Sequence, residues 1–90
     1  MAGSFENYLA DLIPGYLRAR RDEVIVMRTA LASGQFGDIV EIAHRLRGTG
    51  GTYGRPQLSA IGAELESAAE ASDADRVSRG LDALTLELGE

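Results

Sequence analysis

The chain has no cysteine and no lysine, a single histidine and only two prolines in 90 residues. Without cysteine, neither a disulfide nor a thiolate metal site can staple the fold, and a reducing compartment is the natural setting. No apolar run approaches the roughly 20 residues of a membrane span. The segment "MAGSFENYLADL" lacks the basic-then-apolar layout of a secretory signal. A cytoplasmic protein or domain is therefore expected. Strand signals are scarce as well. Only Ile25, Val26 and Met27 form a short β-like run, and no period-2 alternation is sustained.

Several chemistries fall with these absences. A lone histidine without cysteine leaves only carboxylates to complete a metal site, so none is expected. No glycine-flanked serine elbow or cysteine is present for a hydrolase triad, and no phosphate-loop signature for a nucleotide. The net charge of −5 argues against nucleic acid or an anionic membrane as partner. All nine basic residues are arginine, gathered partly in "RARR" (18–21) and "HRLR" (44–47). The first of these reads as a solvated helix face.

What is present is a chain of helix formers with breakers at intervals, 44% apolar and of single-domain size over residues 1–90. Residues 4–12 read as a short helix that Ser4 could cap, with Phe5, Tyr8, Leu9 and Leu12 three and four apart. Pro14 stops that helix or opens the next; the alternative merges the two through a kink at Pro14. A long helix then runs to about Ala32, with Leu17, Val24 and Leu31 on one stripe flanked by Met27. Gly34 suits a left-handed cap. The next helix starts near residues 36–38 and carries Ile39, Ala43, Leu46, Gly50 and Tyr53 at spacings of four and three. Gly54 suits its C-terminal cap, and Arg55 and Pro56 open a helix with Leu58, Ile61, Leu65 and Ala68 or Ala69 inside. After a turn capped by Ser72 or Asp73, the last helix carries Val77, Leu81, Leu84 and Leu88. The expected fold is all-α: an antiparallel up-down-up-down four-helix bundle with a short additional N-terminal helix capping one end.

On a helical wheel the stripe from Ile39 to Tyr53 centres roughly 220° from His44. His44 therefore faces solvent, with Gly37, Val40, Glu41, Arg47, Gly48 and Gly51 within about 60° of it. Half of those neighbours are glycine. Each helical glycine is worse than alanine by about 1 kcal/mol, so propensity alone favours ending the helix at Arg47 and reading "GTGG" as a turn. The other reading keeps the helix and uses the missing side chains to let another protein approach the imidazole. An exposed imidazole with no metal or triad partners can itself act as a nucleophile and carry a phosphoryl group, given an orienting hydrogen bond and a nearby cation. Arg47 stands one turn away.

"AHRLRGTGGTYG" resembles the phosphorylation-site helix of histidine-containing phosphotransfer domains, the relay modules of two-component signalling. Ala43, His44, Leu46, Arg47, Gly48 and Gly54 fill the places of that family's pattern, and "LSAIGAELE" (58–66) is similar to its following helix. The similarity covers residues 12–88. It implies a four-helix bundle with the histidine midway along an exposed face, and a helix that continues through the small residues. It also implies His44 as phosphoacceptor and Arg47, where the family typically has lysine, as stabiliser of phosphoryl charge. The partner would dock over Val40, Glu41, Arg45, Gly48 and Gly51. The family often places a glutamine beside the histidine from the neighbouring helix; that position falls on Glu66, whose carboxylate could accept from Nδ1–H and leave Nε2 free.

The implied partners are response-regulator receiver domains and a histidine kinase, met by a monomer with no cofactor of its own. Mg²⁺ would sit on the receiver. The implied activity is a covalent phosphoryl carrier without autonomous kinase activity, accepting from one receiver aspartate and passing to another. Two alternatives stand beside it. One is the phosphoacceptor domain of a chemotaxis-type histidine kinase. The other is a non-enzymatic interaction bundle in which His44 is incidental.

Overall fold

A computed structural model describes residues 2–89 of the chain, with side-chain surroundings from Phe5 onward. Four helices follow one another: α1 (Ala2–Ala32), α2 (Phe36–Gly50), α3 (Pro56–Glu70) and α4 (Ala74–Glu87). Packing runs round a square, α1 on α2, α2 on α3, α3 on α4 and α4 back on α1. Loops of three to five residues allow only antiparallel neighbours, so the chain goes up, down, up and down. The β-like run Ile25 to Met27 is helical, as the rest of the period-3.6 pattern requires.

The separate N-terminal helix expected from Pro14 is not seen; as in the alternative reading, it is merged with the helix that follows. Residues 2–32 form one helix with Pro14 inside it, beginning before Ser4, so Ser4 is not its cap. Pro14 offers no N–H, which leaves the Ala10 carbonyl without its usual partner. Both residues are exposed, so water can take that place. A 31-residue helix rises about 46 Å, and the molecule measures 46 × 20 × 18 Å. The other helices are half that length. Among the described residues of α1, the first buried one is Tyr16. The N-terminal part therefore projects beyond the bundle, with Phe5 and Tyr8 largely exposed.

The core is a single apolar cluster. Val77, Leu81, Leu84 and Leu88 are all buried, as their spacing predicts, and so are Leu58, Leu65, Ala68 and Ala69. Each fully buried leucine or valine contributes about 1.5–3 kcal/mol relative to exposure. Along α1 the stripe is rotated from expectation. Tyr16, Val24, Met27 and Ala30 are buried, whereas Leu17 and Leu31 are only half-buried at its edge. In α2, Ile42 joins Ile39, Ala43, Leu46 and Gly50 inside, and Tyr53 is half-buried.

Three of the helix ends share one chemistry. Gln35 N–H donates to the Ala30 carbonyl and Gly34 N–H to Leu31, with Gly34 at φ 70°. The same pair of bonds recurs from Arg55 to Gly50 and from Gly54 to Gly51, with Gly54 at φ 71°. It recurs again from Asp73 to Ala68 and Ser72 to Ala69. These are left-handed caps that satisfy the last carbonyls of each helix. The third cap places a serine at φ 51°, where a Cβ is disfavoured. Asp73, the next residue, turns to cap α4, its carboxylate accepting from Arg76 N–H at 3.1 Å. Ser72→Gly should therefore raise stability by up to about 1 kcal/mol, a few degrees in Tm. A melt showing an unchanged or lower Tm would contradict the strain assigned to Ser72.

Candidate functional site

The "GTGG" stretch decides where the site can be, and it stays helical. α2 runs to Gly50, and Gly51 keeps right-handed helical angles at φ −64°, ψ −38°. Tyr53 N–H still bonds the Thr49 carbonyl at 3.2 Å. Tertiary contacts outweigh the glycines' poor propensity. Tyr53 stacks on Tyr16 with centroids 4.1 Å apart and planes 13° from parallel. The Tyr16 hydroxyl lies 2.8 Å from Thr49 Oγ1. Arg20 covers the Tyr16 ring at 4.6 Å, so part of the basic run at 18–21 serves packing and not only solvation. Arg21 likewise donates to the Leu88 carbonyl.

The glycines divide into two kinds. Gly50 and Gly62 are where α2 and α3 touch. A Cβ on Gly62 would lie 2.6 Å from the Arg47 backbone nitrogen, and one on Gly50 would lie 2.5 Å from that of Ser59. Ser59 adds a hydrogen bond from its hydroxyl to the Arg47 carbonyl. Gly48 and Gly51 face the other way. A Cβ on either meets nothing within 4 Å. They leave a flat clearing on the outer face, beside His44.

The close approach at Gly62 brings Glu66, one turn further along α3, against the exposed face of α2. Glu66 Oε2 lies 2.9 Å from His44 Nδ1, and its Oε1 lies 3.1 Å from Arg47 Nη1. The carboxylate is mostly shielded, with its side chain 12% exposed, while the imidazole is 61% exposed. Arg47 Nη2 also reaches within 3.2 Å of the same His44 Nδ1. Both contacts cannot be hydrogen bonds at once, because a ring nitrogen either donates or accepts. A carboxylate is the stronger partner and is acceptor-only, so Nδ1 carries the proton and Nε2 the lone pair. Among the described residues, no hydrogen bond reaches Nε2.

Val40, Glu41, His44, Arg45 and Glu66 line a shallow hollow around the ring. Arg45 Nη2 stands 3.9 Å from Glu23 Oε2 on α1, so the rim of the hollow is charged and half-tethered. Of the residues singled out in sequence around His44, Val40 is half-buried, and Gly37, Glu41, Arg45, Arg47, Gly48 and Gly51 are exposed. Sequence reasoning missed Ser59, Gly62 and Glu23. Gly62 offered a signal, a glycine inside the apolar period of α3, which marks a close backbone approach.

An exposed imidazole, held by one nitrogen and open at the other, is built for transferring a small group at Nε2. Among the described residues, no group of three or more His, Asp or Glu side chains is gathered to hold a metal ion, and no helix is long and apolar enough to cross a membrane. Searches of curated proteins and of solved structures return no match. A family model described as "Hpt domain" matches residues 15–90, which takes in α2, α3, α4 and all of α1 that packs in the bundle. Site geometry, helical architecture and family match agree, and the chain belongs to the Hpt domain family, whose members carry out histidine phosphotransfer in phosphorelays.

Proposed function

We propose that this protein is a phosphorelay intermediate that accepts a phosphoryl group on His44 from a receiver-domain aspartate and passes it to another receiver. The observation that carries this reading is the exposed imidazole whose Nδ1 is held by Glu66 while no hydrogen bond among the described residues reaches Nε2. In the forward step the Nε2 lone pair attacks phosphorus, the N–P bond forms, and the P–O bond of the aspartyl phosphate breaks. The electron pair leaves with the aspartate carboxylate. The Nδ1 proton stays on the ring, which becomes cationic, and Glu66 stabilises that charge as it grows. Arg47 balances the carboxylate, so the site is less anionic when a phosphoryl dianion arrives. Mg²⁺ belongs to the receiver, and the carrier contributes no cofactor. His44, Arg47 and Glu66 come from one chain, which supports a carrier that works as a monomer, and the reading places it in the cytoplasm.

Two incubations test the reading. A receiver loaded from acetyl phosphate should transfer label to His44. Transfer only from a histidine kinase with ATP would instead favour the phosphoacceptor domain of a chemotaxis-type kinase, and label from neither source would leave an interaction module.

Docking needs the clearing as well as the imidazole. Gly48→Gln adds a long side chain into open space, so the protein should fold with stability within about 1 kcal/mol of wild type. Transfer from the receiver should fall about tenfold or more, since 1.4 kcal/mol of lost complementarity suffices for that. A Gly48→Gln protein that accepts phosphoryl as fast as wild type would show that no partner atom uses the space.

A further inference from the structure

Two arginines flank His44, and their surroundings differ. Arg47 is committed: its guanidinium pairs with Glu66 Oε1 at 3.1 Å and lies 3.2 Å from Nδ1, the nitrogen that does not attack. The hollow around the ring is lined instead by Val40, Glu41, His44, Arg45 and Glu66, so Arg45 is the one arginine bordering it. Neighbours one apart on a helix point about 100° away from each other. A side chain as long as arginine's still lets both border one hollow. Arg45 is also uncommitted. Glu23 holds Arg20 at 2.7 Å and reaches Arg45 only at 3.9 Å, beyond hydrogen-bond range. Among the described residues, Arg45 makes no hydrogen bond.

We infer, resting on the phosphoryl-carrier reading above, that Arg45 and not Arg47 is the cation that holds the phosphoryl group on His44. Its guanidinium leaves Glu23 and donates to the phosphoryl oxygens once the group is on Nε2. The covalent step is unchanged: the Nε2–P bond forms, the aspartyl P–O bond breaks, and Arg45 keeps all its protons. A phosphoryl dianion in the hollow meets the carboxylates of Glu41 and Glu66, which line it. Arg47 offsets Glu66. Arg45, four residues on from Glu41, is placed to offset Glu41. It also keeps its fork of N–H donors free for two phosphoryl oxygens. Leaving Glu23 breaks no hydrogen bond, and Arg20 stays on that carboxylate. When the group departs, Arg45 returns to Glu23.

The experiment loads His44 from phosphoramidate, a small donor that needs no receiver, so docking plays no part. Decay of the phosphohistidine to free phosphate is followed by ³¹P NMR on wild type, Arg45→Ala, Arg45→Lys and Arg47→Ala. Both arginines are exposed, and circular dichroism checks that each protein is folded. Hydrolysis passes through a loose, metaphosphate-like transition state. Its oxygens carry less charge than those of the resting dianion, so a cation bound to them slows the decay. Arg45→Ala should shorten the half-life by about threefold or more, the size expected of an exposed charge pair. Arg45→Lys, which keeps the charge but not the fork, should recover part of that loss. Arg47→Ala should shorten it less than Arg45→Ala does. In wild type the Arg45 side-chain N–H signals should shift on phosphorylation and return as phosphate is released. An Arg45→Ala half-life equal to wild type, or an Arg47→Ala half-life shorter than that of Arg45→Ala, would overturn the inference. If wild type takes the group from phosphoramidate but from no receiver, the relay reading fails, while the half-lives still decide which arginine holds the group.

Discussion

His44→Gln should leave the bundle intact and abolish phosphoryl acceptance altogether. The imidazole is mostly exposed and belongs to no part of the core, so its loss should change stability by no more than about 0.5 kcal/mol. Glutamine can still donate its amide hydrogen to Glu66, so the carboxylate is not left without a side-chain partner. What disappears is the only imidazole in the chain. No cysteine is present, and an amide nitrogen has no lone pair available for attack on phosphorus. Incubation with a phosphorylated receiver should therefore give no acid-labile label on the variant, with a melting curve that overlies wild type. Acid-labile label on His44→Gln would place the acceptor elsewhere.

The second large effect is on stability, and it separates glycines that look alike in sequence. Gly62→Ala should destabilise by about 2 kcal/mol or more, because its Cβ would meet backbone atoms of Ala43 and Arg47 at 2.6 to 3.0 Å. Backbone cannot rotate out of the way as a side chain can, so α3 would have to move off α2. The gain of about 1 kcal/mol in helix propensity offsets only part of this. For a domain of this size the fall in Tm should be roughly 10 °C. Gly48→Ala meets nothing within 4 Å and keeps the same propensity gain, so it should raise Tm by a few degrees. Opposite signs are expected from the same chemical change. Gly48→Ala that destabilised as much as Gly62→Ala would mean that Gly48 is not on an open helical face.

The fold was legible in sequence where the signal is local or periodic. Leu81, Leu84 and Leu88 fall on one stripe and are buried on it, and Gly34 and Gly54 take the left-handed angles that their positions after apolar runs suggest. Pro14 misled, because proline's local preference to break a helix is overridden when the flanking residues stay helical and the carbonyl it orphans faces water. The "GTGG" stretch misled propensity for a different reason. Its helix is held by Tyr16 on α1 and by the contact of Gly50 with Ser59 on α3, neither of which is visible in a window around Arg47. The resemblance to phosphotransfer domains corrected that reading, since it carries tertiary information that propensity lacks. His44 was legible from the wheel alone. Its orientation was legible only through the resemblance, which set Glu66 beside it; no local pattern could show that, because Glu66 lies 22 residues away and the close approach at Gly62 brings it to Nδ1. Arg47 was read as a stabiliser of phosphoryl charge one turn from His44; in the structure its guanidinium pairs with Glu66 at 3.1 Å and also lies 3.2 Å from His44 Nδ1.

The central claim is that His44 carries a phosphoryl group on Nε2, and the isomer of phosphohistidine formed tests it directly. Wild-type protein incubated with a phosphorylated receiver, then examined by ³¹P and ¹⁵N NMR, should show one phosphoryl group bonded to Nε2 of His44, with the proton retained on Nδ1. A phosphoryl group on Nδ1, or an acid-stable one on a hydroxyl, would contradict the account, because the geometry at Glu66 leaves only Nε2 open.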